Sequence, residues 1–104
     1  MRIIALFKLK PGTDAAAYEE WARTRDIPGV RSLVSVRDFQ VLKATGVMFK
    51  EGEAPPYDYI EVLDIVKMDE FLRDCGGDLV GALAKEMGAF TDGATFITTE
   101  EIGA

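Results

Sequence analysis

Apolar runs and apolar residues at helical spacing take turns along this chain. Ile3 to Leu9 is a short apolar run closed by Pro11-Gly12 and predicts a first strand. Thr13 or Asp14 then offers an N-cap. Ala15, Tyr18, Trp21, Ala22 and Arg25 follow at helical spacing, with Glu19, Glu20, Arg23 and Asp26 elsewhere on the cylinder. This helix is expected to end before Pro28-Gly29, because the residue preceding a proline disfavours helix. Val30 to Lys43 predicts a long second strand. Its apolar phase switches from Val34 and Val36 to Phe39 and Val41, which predicts a bulge or bend near Arg37-Asp38. Thr45 to Pro56 is rich in Gly, Pro and Glu and predicts a loop, in which Met48 and Phe49 require apolar cover. Tyr57 to Val66 predicts the third strand. Phe71, Leu72, Cys75, Leu79, Leu83 and Met87 form a second helical stripe, interrupted at Gly76-Gly77 by a kink or a break. Ala94 to Ile102 alternates as a fourth strand.

The order β-α-β-β-α-β predicts an α+β, ferredoxin-like fold: a four-stranded antiparallel sheet with helices on one face. Strands two and three are apolar on both sides, so the other face also needs a cover. A second copy of the sheet is the simplest one, which predicts a homodimer through the sheet face. A length of 104 residues is expected to make a single domain, 1–104.

Composition narrows the partners. A net charge of −6 lacks the basic footprint of nucleic-acid binding and disfavours an anionic membrane surface. No segment reaches the roughly 20 apolar residues of a membrane span. The N-terminal apolar run is too short for a secretion signal, and Cys75 has no second cysteine to pair with. A cytoplasmic location is expected.

The chemistry centres on Glu61. One face of the third strand carries Tyr57, Tyr59, Glu61, Leu63 and Ile65. A carboxylate between an aromatic ring and a leucine is costly if dry, and its pKa rises. The chain has no histidine, so proton transfer near neutral pH falls to a carboxylate, a tyrosine, a lysine or Cys75. Glu61 is therefore the leading catalytic candidate, with Tyr59 beside it. The alternatives are a Glu61 paired with Arg37 on the neighbouring strand, or one pointing outward at a sheet edge. Trp21, Tyr18, Arg37, Phe39, Phe90 and Tyr57 are candidates for holding a substrate, each with a core or surface alternative. Arg37 and Asp38 gain interest because bulges re-aim side chains near sites. Cys75 lies on an apolar stripe and reads as a small hydrophobe. No metal site and no cofactor are expected: ligand spacings are missing.

Lys10-Pro11-Gly12, Tyr18-Glu19-Glu20-Trp21-Ala22, Val36-Arg37-Asp38-Phe39, Pro56-Tyr57-Asp58-Tyr59-Ile60-Glu61-Val62 and Phe96-Ile97-Thr98-Thr99-Glu100 together resemble the REDY-like, HapK-type proteins of the dimeric α+β-barrel superfamily. The resemblance implies a ferredoxin-like protomer packed sheet to sheet on its partner. It also implies a pocket between sheet and helices, and a place in bacterial pyrrole- or indole-pigment (prodigiosin-type) secondary metabolism without a tightly held cofactor. Taken with the residues, it implies an enzyme that steers a hydrophobic aromatic intermediate by positioning and proton transfer, as in a cyclisation, isomerisation or dehydration. The alternatives are a non-catalytic carrier with the same pocket and a cofactor-free monooxygenase.

Overall fold

A computed structural model describes residues 1–103. The chain runs β1 (Arg2–Phe7), α1 (Ala15–Trp21), a π-helical segment (Ala22–Asp26), α2 (Ile27–Arg31), β2 (Val36–Lys43), β3 (Tyr59–Ile65), α3 (Met68–Cys75), α4 (Asp78–Met87) and β4 (Thr95–Thr98). The strands form one antiparallel sheet in the order β2-β3-β1-β4, the ferredoxin-like arrangement. β1 and β3 are central, and Glu61 on β3 stands between Ala5 of β1 and Val41 of β2.

Alternation sorts the side chains. Ile3, Ala5 and Phe7 of β1 and Tyr59, Glu61, Leu63 and Ile65 of β3 are buried beneath the helices. Ile4, Leu6, Ile60, Val62, Leu42 and Ile97 are paired across the opposite face, which no helix covers. The covered side holds two core clusters. Ile3, Val36, Phe39, Leu63 and Ile65 form one, packed with Ile27, Val30 and Phe71. Phe7, Tyr18, Ala22 and Tyr59 form the other, packed with Trp21, Met87 and Phe90.

Several boundaries differ from the sequence expectation, each for a local reason. β1 stops at Phe7 rather than Leu9, because the Leu9 amide turns to donate to Asp58 (2.8 Å) and the Lys10 amide to the Phe90 carbonyl (2.8 Å). Asp14 caps α1, accepting from the Ala16 amide at 3.0 Å. The helix does not end before Pro28. It widens into the π-helical segment, in which the Ile27 amide donates to the Ala22 carbonyl, and continues to Arg31 with Pro28 in the first turn of α2. A proline ring in an α-helix presses on the carbonyl four residues back, here Thr24, and the wider turn relieves that position. Val30 is therefore helical, and Val34 lies in an exposed turn rather than in a strand. Asp74 starts β2 by accepting from the Ser35 amide (3.2 Å) and hydroxyl (2.5 Å).

The predicted irregularity in β2 is present: the register shifts between Val36 and Asp38. The second helical stripe is divided at Gly76-Gly77, as its spacing implied. β3 and β4 are shorter than predicted, at Tyr59–Ile65 and Thr95–Thr98. Met48 and Phe49 are exposed at the tip of the 44–58 loop instead of covered, with Phe49 at φ +68°.

Gly29 marks the closest approach of α2 to α4. A Cβ there would stand 3.0 Å from Leu83 Cδ1. Gly29→Val is expected to lower stability by about 1–3 kcal/mol through overpacking. Equilibrium urea unfolding checks this, and an unchanged midpoint would contradict the close packing.

Candidate functional site

Glu61 occupies the seam between the two core clusters, with Tyr59 in one and Leu63 in the other. Its residue is 5% exposed, and Oε2 is buried without a hydrogen-bond partner among the described residues. Arg37 does not supply one. It sits exposed at the bulge of β2, whereas the β2 residue opposite Glu61 is Val41. The alternative of a structural Arg37–Glu61 pair is thereby corrected, and so is that of a carboxylate pointing outward at a sheet edge. With no cation at hand, burial pushes the Glu61 carboxyl up to about 8, and the charge of Asp26 adds to the rise.

Asp26 is the residue that sequence reasoning missed. The spacing put it away from the core, yet it is buried at 5% exposure. A continuous α-helix would turn it about 80° away from Tyr18, eight residues earlier. The π-helical turn keeps Tyr18, Ala22 and Asp26 buried in line. Burial pushes Asp26 up to about 6, helped by the charge of Glu86. Glu86 stays ionised, at about 2, because Arg25 grips it with two hydrogen bonds (3.0 and 2.7 Å) and the Trp21 indole donates a third (2.9 Å).

Both acids line a cavity of about 380 Å³ between the inner sheet face and helices α3 and α4. Phe39, Leu63, Phe71 and Leu83 supply apolar wall, and Leu72 and Phe96, each 62% exposed, stand at its rim. Cys75 also lines it, with its thiol pushed up by burial. No lysine or arginine reaches the wall. A larger open groove of about 1030 Å³ runs beside Met1, Arg2 and Glu100, but neither buried acid lines it. Among the described residues, no group of three or more His, Cys, Asp or Glu could hold a metal ion.

The aromatic candidates take up the packed alternative, ring against ring. Tyr18 and Tyr59 stand 4.6 Å apart between ring centroids, Trp21 and Phe90 5.5 Å, and Phe7 stacks on Tyr59. These rings fill space against one another and leave the cavity wall to Phe39, Phe71, Phe96 and aliphatic side chains. Tyr59 donates its hydroxyl to Glu19 at 2.7 Å, and Lys43 approaches the same carboxylate oxygen at 3.1 Å. Tyr59 thus ties the sheet to α1. Burial and that bond raise its pKa. Tyr18 is fully buried, and its hydroxyl has no partner among the described residues. Burial, Glu61 and Asp26 hold it firmly protonated. Tyr57 lies at the surface before β3. The structure therefore joins Glu61 and Phe39 with Asp26 at one cavity, sets Tyr18, Tyr59, Trp21 and Phe90 in a packed cluster beside it, and leaves Arg37 and Tyr57 outside.

The family model described as REDY-like protein HapK matches residues 1–102. Among solved structures, HapK from Hahella chejuensis is 24% identical with a TM-score of 0.74, covering 100% of this chain and 95% of its own. A protein of Arabidopsis thaliana is 13% identical with a TM-score of 0.80, covering 99% and 96%. A Bacteroides fragilis protein described as dimeric, of unknown function and with a ferredoxin-like fold, is 13% identical with a TM-score of 0.67, covering 92% and 90%. These likenesses are of fold. No functionally curated protein matches the chain.

The buried acids set the pH dependence of stability. Glu61 holds its proton up to about 8 when folded against 4.5 as a free side chain, and Asp26 up to about 6 against 3.8. The folded state thus binds more protons than the unfolded one in this window, so stability falls as pH rises through it. Glu86 and Glu19, held below the usual range, act only on the acid side. The melting temperature is expected to drop steadily between about pH 4.5 and about pH 8, and Glu61→Gln to flatten most of the fall above about pH 6. Differential scanning fluorimetry across pH checks this; a profile of Glu61→Gln parallel to the wild type would contradict it.

Proposed function

The chain belongs to the HapK family of REDY-like proteins, and we propose that it acts on a hydrophobic, planar small molecule by acid–base chemistry. One observation carries the reading: the unpaired, buried carboxyl of Glu61 lines an apolar cavity together with a second buried acid. Environments that push two carboxyls to different proton affinities divide their roles. Near neutral pH Glu61 keeps its proton and acts as the acid, while Asp26 is mostly ionised and acts as the base. Phe39, Phe71 and the aliphatic wall exclude water, which strengthens both groups and shields a reactive intermediate from side reactions. Trp21 and Arg25 hold Glu86 and so help keep Asp26's proton affinity raised. Tyr18, Tyr59 and Phe90 act as packing that fixes the frame of the site. A cyclisation, isomerisation or dehydration of a pyrrole- or indole-derived pigment intermediate suits this apparatus and the family. A homodimer covering the open face with Ile4, Leu6, Ile60 and Val62 is in keeping with the dimeric B. fragilis neighbour. The lone thiol of Cys75 suits a reducing, cytoplasmic setting.

The second reading is a carrier that encloses the same molecule without converting it, which the apolar wall would also serve. Proton transfer separates the two. Hydrophobic pyrrolic and indolic ketones in D₂O, followed by NMR, report exchange at carbons beside the carbonyl. Wild-type protein is expected to catalyse exchange on at least one of them, and Glu61→Gln to slow it by about 10²–10⁴-fold with affinity little changed. Tight binding with no catalysed exchange would favour the carrier.

A further inference from the structure

The cavity wall also constrains the charge of what it holds. Among the described residues its only acidic side chains are Asp26 and Glu61, and it has no basic one; Thr98 and the Cys75 thiol are the other polar side chains, and the rest is apolar. Arg25 is committed to Glu86, and Lys43 to Glu19. Glu61 Oε2 remains a buried polar atom with no hydrogen-bond partner among the described residues. A buried polar atom left unmatched is costly, so the group that matches it contributes strongly to binding. An anionic ligand would meet the charge of Asp26 with no cation in the wall to offset it. A ligand without polar atoms would leave Oε2 unmatched. A protonated nitrogen answers both conditions: it neutralises carboxylate charge and donates more than one hydrogen bond at once.

We propose that the cavity is built for an apolar molecule carrying a basic nitrogen, an amine, imine or amidine bound as its cation, with its N–H groups shared between Glu61 and Asp26. The hydrocarbon part lies against Phe39, Phe71 and Leu83 and leaves past Leu72 and Phe96. At about 380 Å³ the space is at the small end of ligand pockets and suits one or two rings rather than a long chain. The assignment rests on the site of the proposed function but needs no turnover. It names the substrate class, and it holds for enzyme and carrier alike.

Three probes of nearly equal shape test it on the full chain: 4-phenylbutylamine, 4-phenylbutanol and 4-phenylbutyrate, titrated by calorimetry near neutral pH. The amine is expected to bind about tenfold to a hundredfold more tightly than the alcohol, and the carboxylate more weakly than either. In the Asp26→Asn/Glu61→Gln double variant, amine and alcohol are expected to bind equally, with the alcohol little changed. In wild-type protein, amide chemical shifts of Glu61 and Asp26 are expected to move with the amine, which keeps the test valid if the variant folds poorly. Equal wild-type affinity for amine and alcohol, a preference for the carboxylate, a preference for the amine that survives in the double variant, or no binding by any probe overturns the proposal. Amine preference without Glu61-dependent exchange sinks only the catalytic reading. Exchange without amine preference sinks only this one.

Discussion

The inner face of β3 has to carry Tyr59, Glu61, Leu63 and Ile65 in one line under the helices. Three of these want apolar neighbours, and the fourth is an acid without a cation. An unpaired carboxylate cannot be close-packed into a core at neutral pH without a large penalty. The protein divides its core at that residue, with an aromatic cluster around Tyr18 and Tyr59 on one side and an aliphatic cluster around Leu63 and Ile65 on the other. The cavity opens where Glu61 interrupts the packing. Glu61 answers the lack of a partner with a raised proton affinity, caused by burial and by the charge of Asp26.

The helical layer is arranged to support that state rather than relieve it. A cation placed opposite Glu61 would lower its raised proton affinity. The available cations are instead engaged at the periphery, Arg25 on Glu86 and Lys43 on Glu19. Asp26 enters from the π-helical turn as a second acid, so the pair cannot easily lose both protons. The outer sheet face, with Ile4, Leu6, Ile60 and Val62, leaves the cavity on the far side of the sheet untouched. Cover over that face by a second copy would therefore stabilise the sheet without filling the site.

Much of the frame is legible in the sequence, because alternation and helical spacing are read directly from apolar positions. The order of elements, the irregularity at Arg37-Asp38 and the break at Gly76-Gly77 all follow from phase and from glycine. The π-helical turn is not legible. It leaves no period of its own, and Pro28 argues for a helix end where the chain instead widens and continues. Asp26 was hidden by the same step, although the four-residue steps from Tyr18 to Ala22 to Asp26 are a signal that a wider turn would put all three on one line. Periodicity places the rings of Tyr18, Trp21, Tyr59 and Phe90 on the inner side but not whether they meet one another or a gap. The Arg37–Glu61 pairing failed for a related reason: neighbouring strands do not put two residues in contact unless register does, and register opposes Val41 to Glu61.

The central claim is that Glu61 is buried, unpaired and protonated near neutral pH. Carbon-13 NMR of the glutamate side-chain carboxyl carbons, assigned by comparison with Glu61→Gln and followed against pH, measures it residue by residue. The account predicts a Glu61 midpoint near 8, with its transition coupled to that of Asp26. A midpoint at the ordinary glutamate value of 4.5 would mean that the carboxyl is solvated or paired, and would contradict it.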